Sequence, residues 1–152
     1  MKKKFFFVAI AAIVLMACGN GNEEVNDPNV PFAIKISNIT NQSVQLTFTP
    51  KDQTKGYFWG MNRASEVYAN AQTVEAFATQ DIHNSFSDYD ALEISGFMDT
   101  GTKTYKIPSV ESGFDDNLLP STEYIVFVTH VEKGSKGEIV IGQVVFNAFK
   151  TK

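Results

Sequence analysis

From Phe32 onward the chain alternates apolar and polar residues in short runs, the period-two pattern of half-buried strands. In Ala33–Ile39, Ile34 and Ile36 lie two apart, and Ile39 continues the series. In Val44–Pro50, Val44, Leu46 and Phe48 point one way and Gln45, Thr47 and Thr49 the other. Asn41-Gln42 is the turn between these two strands, and Pro50 ends the second. After the polar loop Lys51–Thr54, a third strand carries Tyr57, Trp59 and Met61 on one face and Phe58 on the other. Near the C-terminus, Tyr124, Val126, Val128 and His130 alternate against Ile125, Phe127 and Thr129. Gly134 and Gly137 supply a turn, and residues 139–149 return as a long last strand. Gly142 and a shift in apolar phase before Phe146 and Phe149 predict a bulge there.

The period changes in residues 63–98. Thr73 is a suitable N-cap, Glu75 suits the helix dipole, and Val74, Phe77, Ala78, Ile82 and Phe86 fall on one side of a helix. The preceding "ASEVYA" reads as a short helix of its own. The segment "SDYDALEISG" reads as another, capped by Ser87 or Asp88 and stopped by Gly96. "TGTKTYKIPSV" then returns to strand or extended chain. Phe58, Ile125 and Phe127 make the third and penultimate strands apolar on their outer face too, whereas a free sheet face is polar. The helices are therefore expected to pack on that face through Val74, Phe77, Ile82 and Phe86. The competing expectation is an open apolar binding surface.

The run Leu118–Val128, "LLPSTEYIVFV", resembles the E–F corner of a fibronectin type III domain. Tyr124 matches the tyrosine whose hydroxyl bonds back to nearby backbone in that family. Pro50 after the second strand and the ending Phe149-Lys150-Thr151 fit as well. Phe48 departs from the pattern, standing where the family's second strand usually has tryptophan. The likeness covers residues 31–62 and 117–152. It implies a mostly β, immunoglobulin-like β-sandwich over residues 31–152, with a helical insertion of about residues 63–98 after the third strand. Domains of this kind are usually non-catalytic modules for binding or spacing.

The start of the chain reads differently. Lys2-Lys3-Lys4 precede an uncharged apolar run, Phe5–Ala17, of 13 residues. A membrane-spanning helix needs about 20 such residues, so this run has the pattern of a secretory signal peptide over residues 1–17. Leu15-Met16-Ala17-Cys18 resembles the lipobox of bacterial lipoproteins, which implies cleavage before Cys18 and fatty acylation of that cysteine. Each buried methylene contributes about 0.8 kcal/mol, so several acyl chains hold a protein on a bilayer. No cation or histidine near Cys18 would lower its pKa for catalysis. Residues 18–30 read as a lipidated, flexible tether, polar after Cys18. Glu23-Glu24 resembles the acidic export signal of surface lipoproteins in Bacteroides-like bacteria. The implied place is the bacterial cell envelope, anchored in the outer membrane, facing the periplasm or the surface.

Charge and composition narrow the function. The net charge is −4, and loss of the three leading lysines leaves ten basic and seventeen acidic side chains, a net −7. No basic patch exists for nucleic acid. A single cysteine precludes an internal disulfide and disfavours a zinc site. His83 and Asp81 lie two apart and do not share a helix face, and His130 reads as a hydrogen-bonded core residue. Asp88, Asp90, Asp115 and Asp116 lack the glycine-spaced pattern of a calcium loop and read as caps and loop acids. No nucleophile elbow, phosphate loop or metalloprotease motif is present. The expectation is therefore a non-enzymatic protein with no metal and no cofactor. It would hold the membrane through acyl chains on Cys18 and bind a glycan or protein partner. The alternative is a structural or assembly subunit of an envelope complex. Tyr68, Tyr89 and Tyr105 are the candidate ligand-binding residues, as a sugar-stacking platform in or beside the insertion.

Overall fold

The computed structural model describes Glu23–Val25 and residues 27–152. The expected signal peptide and Cys18 lie outside the described residues. Among the described residues the chain forms two antiparallel sheets and three α-helices. The first sheet has the order β1 (Glu23–Val25), β2 (Phe32–Ser37), β3 (Val44–Pro50), β5 (Lys103–Ile107). In the second, β6 (Glu123–Lys133) is central. It is flanked by β4 (Tyr57–Arg63) on one side and by β7 (Ile139–Ile141) and β8 (Val145–Lys150) on the other. Between β4 and β5 come α1 (Ala64–Asn70), α2 (Val74–Phe86) and α3 (Ala91–Phe97). β1 pairs with β2, with Glu23 opposite Ile36, so part of the stretch expected as a tether runs as a strand at the sheet edge.

The strand phases put two separate apolar faces to use. Phe32, Ile34 and Ile36 of β2, Val44, Leu46 and Phe48 of β3, and Tyr124, Val126 and Val128 of β6 meet between the sheets. Trp59 packs against this core and lies 5.0 Å from both the Phe48 and the Tyr105 rings. The opposite phase of β6, Ile125, Phe127 and Val131, forms a second core with Val67, Val74, Ala78, Ile82, Phe86 and Ile94 of the helices. Phe127 is 1% exposed. The outer face of this sheet is thus covered by the helices, not open. Each large side chain buried there contributes roughly 1.5–3 kcal/mol before entropy, which is why the helices follow an apolar stripe. On α2 that stripe is Val74, Ala78, Ile82 and Phe86, four residues apart each time.

The local signals hold with two changes. Thr73 caps α2, its Oγ1 accepting the Ala76 N–H at 3.1 Å. α3 is capped by Asp90, not by Ser87 or Asp88, and it runs through Gly96 to Phe97. The return strand breaks into β7 and β8. From the pair Val131–Ile141 to the pair Val128–Val145, β6 advances three residues while the return chain advances four. The extra residue is the expected bulge, and it lies beside Gly142, whose N–H bonds the His130 carbonyl at 2.8 Å.

The sandwich has two distinguishable ends. At one, β2 finishes while β3 and β6 begin; the bonds Leu118 N–Gln42 O and Lys152 N–Thr40 O, both 3.0 Å, tie the loops together. β1 enters at this end. At the other, β2 begins and β6 runs past His130, whose ring lies 4.6 Å from that of Phe32.

Candidate binding surfaces

An exposed aromatic cluster lies where α2 turns into α3, at the end of the sandwich remote from the entry of β1. α2 ends at Phe86, and the Tyr89 N–H reaches back to the Phe86 carbonyl at 3.2 Å. Asp90 then starts α3 through a capping box. Its carboxylate accepts the N–H groups of Leu92 and Glu93 at 2.8 and 2.9 Å, and Glu93 accepts the Asp90 N–H at 2.8 Å. Lys133 Nζ, from the end of β6, donates to the Tyr89 carbonyl. The corner backbone is therefore fixed from both sides.

On this corner the Tyr89 and Phe97 rings meet edge to face, 5.3 Å apart at 67°. Tyr89 is 38% and Phe97 58% exposed. Beneath them, Phe86 lies 6.3 Å from Tyr89 and 6.1 Å from Phe97, and it packs edge-on against Phe58 of β4 at 5.2 Å. A column of rings thus connects the sheet to a solvent-facing aromatic pair. The edge-to-face contact covers one ring face with the edge of the other ring, and the remaining exposed ring area is open to a ligand.

The three-tyrosine platform does not assemble. Tyr105 is on the inward phase of β5, is 8% exposed, and donates from its hydroxyl to Asp99 Oδ2 at 2.5 Å. It belongs to the core between the sheets because it stands opposite Leu46 and alternates with exposed Thr104 and Lys106. Tyr68 is exposed on α1, and no aromatic ring pair among the described residues joins it to Tyr89. Only Tyr89 lies in an exposed aromatic cluster. Phe97, its partner, was not among the sequence candidates; its position directly after Gly96, at the end of a short amphipathic helix, was the available signal.

The titratable groups divide among structural tasks. Burial, with Asp99 beside them, pushes the Tyr57 and Tyr105 phenols far above their ordinary range, so both stay neutral donors. The Tyr57 hydroxyl donates to Gly101 O at 3.1 Å. His130 Nδ1 lies 3.0 Å from the Gly56 carbonyl, which requires the proton on that nitrogen. His83 is exposed on α2, and burial raises the carboxyl pKa of Asp81 nearby in the chain. Among the described residues no group of three or more His, Cys, Asp or Glu side chains is placed to hold a metal ion. Asp90 is a cap, and Asp115 and Asp116 line a groove of about 450 Å³ at the other end of the sandwich. That groove also contains Arg63, Glu66, Leu119 and Tyr124, with Arg63 and Glu66 ion-paired. Among the described residues no helix is long and apolar enough to cross a membrane. Comparison with protein-family models, with curated proteins and with solved structures gives no match.

Proposed function

We propose that the chain is a lipoprotein of the bacterial cell envelope, anchored through acyl chains on Cys18, whose folded part is a non-catalytic binding module. The sequence around Cys18 supports the anchor. The strand orders β2-β3-β5 and β4-β6-β8 support a fibronectin type III-like sandwich, in which the three helices are an insertion after the third strand. Tyr124 supports it too, because its hydroxyl accepts the Leu119 N–H at 2.9 Å.

The observation that carries the binding role is the exposed, edge-to-face pair Tyr89–Phe97 on a hydrogen-bonded corner. Exposed aromatic faces stack on the apolar faces of sugar rings, and the exposed Ser87 and Asp88 alongside in sequence offer polar groups for hydroxyls. A glycan is the ligand this chemistry fits. The purified chain should retain specific glycans on an array. Phe97→Ala and Tyr89→Ala should each abolish that retention while the chain still unfolds in one cooperative transition, its midpoint lowered only by the several degrees that loss of the ring contacts costs. A silent array, or retention that survives both substitutions, contradicts the glycan reading. A native protein partner that is lost on Phe97→Ala would instead favour the assembly-subunit reading, for which Leu92, 80% exposed on α3, supplies further apolar surface.

A further inference from the structure

We propose that the end of the sandwich at which β1 enters is a membrane-contact surface, with Val110 and Leu119 seated in the interfacial layer of the bilayer. The inference rests on the lipid anchor at Cys18. Five residue steps separate Cys18 from Glu23, and a fully extended chain spans at most about 3.6 Å per residue, so Glu23 lies within about 18 Å of the anchored sulfur's residue. Glu23 stands opposite Ile36, one residue from the end of β2, and β1 runs from there into the sheet. The domain is therefore held with this end toward the lipid.

Two large, partly or fully exposed apolar side chains follow directly on segments tied to that end: Val110 comes three residues after Ile107, which stands opposite Val44 at the start of β3, and Leu119 comes next to Leu118, whose N–H bonds the Gln42 carbonyl. Val110 is 86% and Leu119 48% exposed. Both stand on fixed backbone. Val110 opens a 3-10 turn (Val110–Ser112) closed by the Ser109 N–Phe114 O bond at 2.8 Å and the Ser112 N–Ser109 Oγ bond at 3.3 Å. Leu119 gives its N–H to Tyr124 Oη and receives Thr151 Oγ1 on its carbonyl at 2.6 Å. Aliphatic area held toward water on fixed backbone is shielded from water when it lies next to a bilayer. Lys106 stands opposite Gln45, Lys150 opposite Glu123, and the Lys152 N–H bonds the Thr40 carbonyl, at the end where Asp115 and Asp116 line the groove with Leu119, so the mixed charge fits a zwitterionic lipid surface and needs no anionic one. The same geometry turns Tyr89 and Phe97, at the opposite end, away from the membrane.

The test uses the full, processed chain purified from its membrane and reconstituted in phosphatidylcholine vesicles. Val110→Cys and, separately, Val140→Cys on β7 at the far end are spin-labelled, and collision with oxygen and with a water-soluble nickel chelate is measured. The label at 110 should show a several-fold higher oxygen-to-chelate ratio than the label at 140, and Leu119→Cys should behave like 110. If mass spectrometry shows Cys18 acylated and the protein sediments with vesicles, but the labels at 110 and 119 are as chelate-accessible as that at 140, the contact surface is refuted and the anchor stands. An unmodified Cys18 refutes both.

Discussion

Gly60 lies in the middle of β4, directly opposite Phe127 of β6. A Cβ built on Gly60 would meet Phe127 Cζ at 2.6 Å and Cε1 at 2.8 Å. The ring lies across the glycine and cannot swing out, because it is buried in the core beneath the helices, 6.2 Å from Phe58. Glycine is therefore required here by a close approach and not by backbone conformation. In Gly60→Ala, overpacking costs typically 1–3 kcal/mol, while the smaller entropy of the unfolded alanine chain returns about 0.4–1 kcal/mol. The expected net loss is about 1.3 kcal/mol, the middle of a range that reaches about 2.6 kcal/mol. Phe127→Leu alone removes ring contacts and also destabilises. In the double variant the branched, shorter side chain leaves room for the new methyl group. The two losses should then fall short of adding, with a coupling of at least about 0.5 kcal/mol. Equilibrium urea unfolding followed by Trp59 fluorescence measures all four corners of the cycle. Additive losses, or a Gly60→Ala chain as stable as the parent, would refute the claim that the ring dictates the glycine.

Two other substitutions probe separate parts of the structure. Tyr124→Phe leaves the Leu119 N–H without its hydroxyl acceptor, so it should cost about 1–3 kcal/mol in urea unfolding and speed amide exchange at Leu119; unchanged exchange there would argue against the corner as drawn. Asp81 is half-buried on α2, and burial raises its carboxyl pKa above the unfolded value. Folding therefore takes up protons between those two pKa values, and stability from this group rises as pH falls through the folded pKa. Asp81→Asn should raise the thermal midpoint at pH 7 and lose that advantage in acid; an equal effect at both pH values would refute the assignment.

The strands and their phases were legible because each side of each strand had a core to fill. Ile125 and Phe127 stood out as apolar on a face that a bare sandwich leaves polar, and the stripe Val74–Phe86 supplied the matching surface. The α3 cap was misread because "SDYD" offers several capping residues and only the reciprocal bond to Glu93 selects Asp90. Gly96 did not stop the helix, since glycine terminates helices chiefly where positive φ is needed and none is adopted there. Tyr105 was misplaced by reading aromatic spacing along the chain. The alternation of Thr104, Tyr105, Lys106 and Ile107 already marked it as inward. The corner partner Phe97 was harder to see, because its neighbour Tyr89 is close only after a helix cap turns the chain.

The most direct measurement is the intact mass of the mature protein extracted from its native membrane. A chain that begins at Cys18 and carries fatty acyl groups on that residue is the expected result. A chain that retains Met1–Ala17, or one whose Cys18 is an unmodified thiol, would contradict the reading of this protein as an anchored envelope lipoprotein.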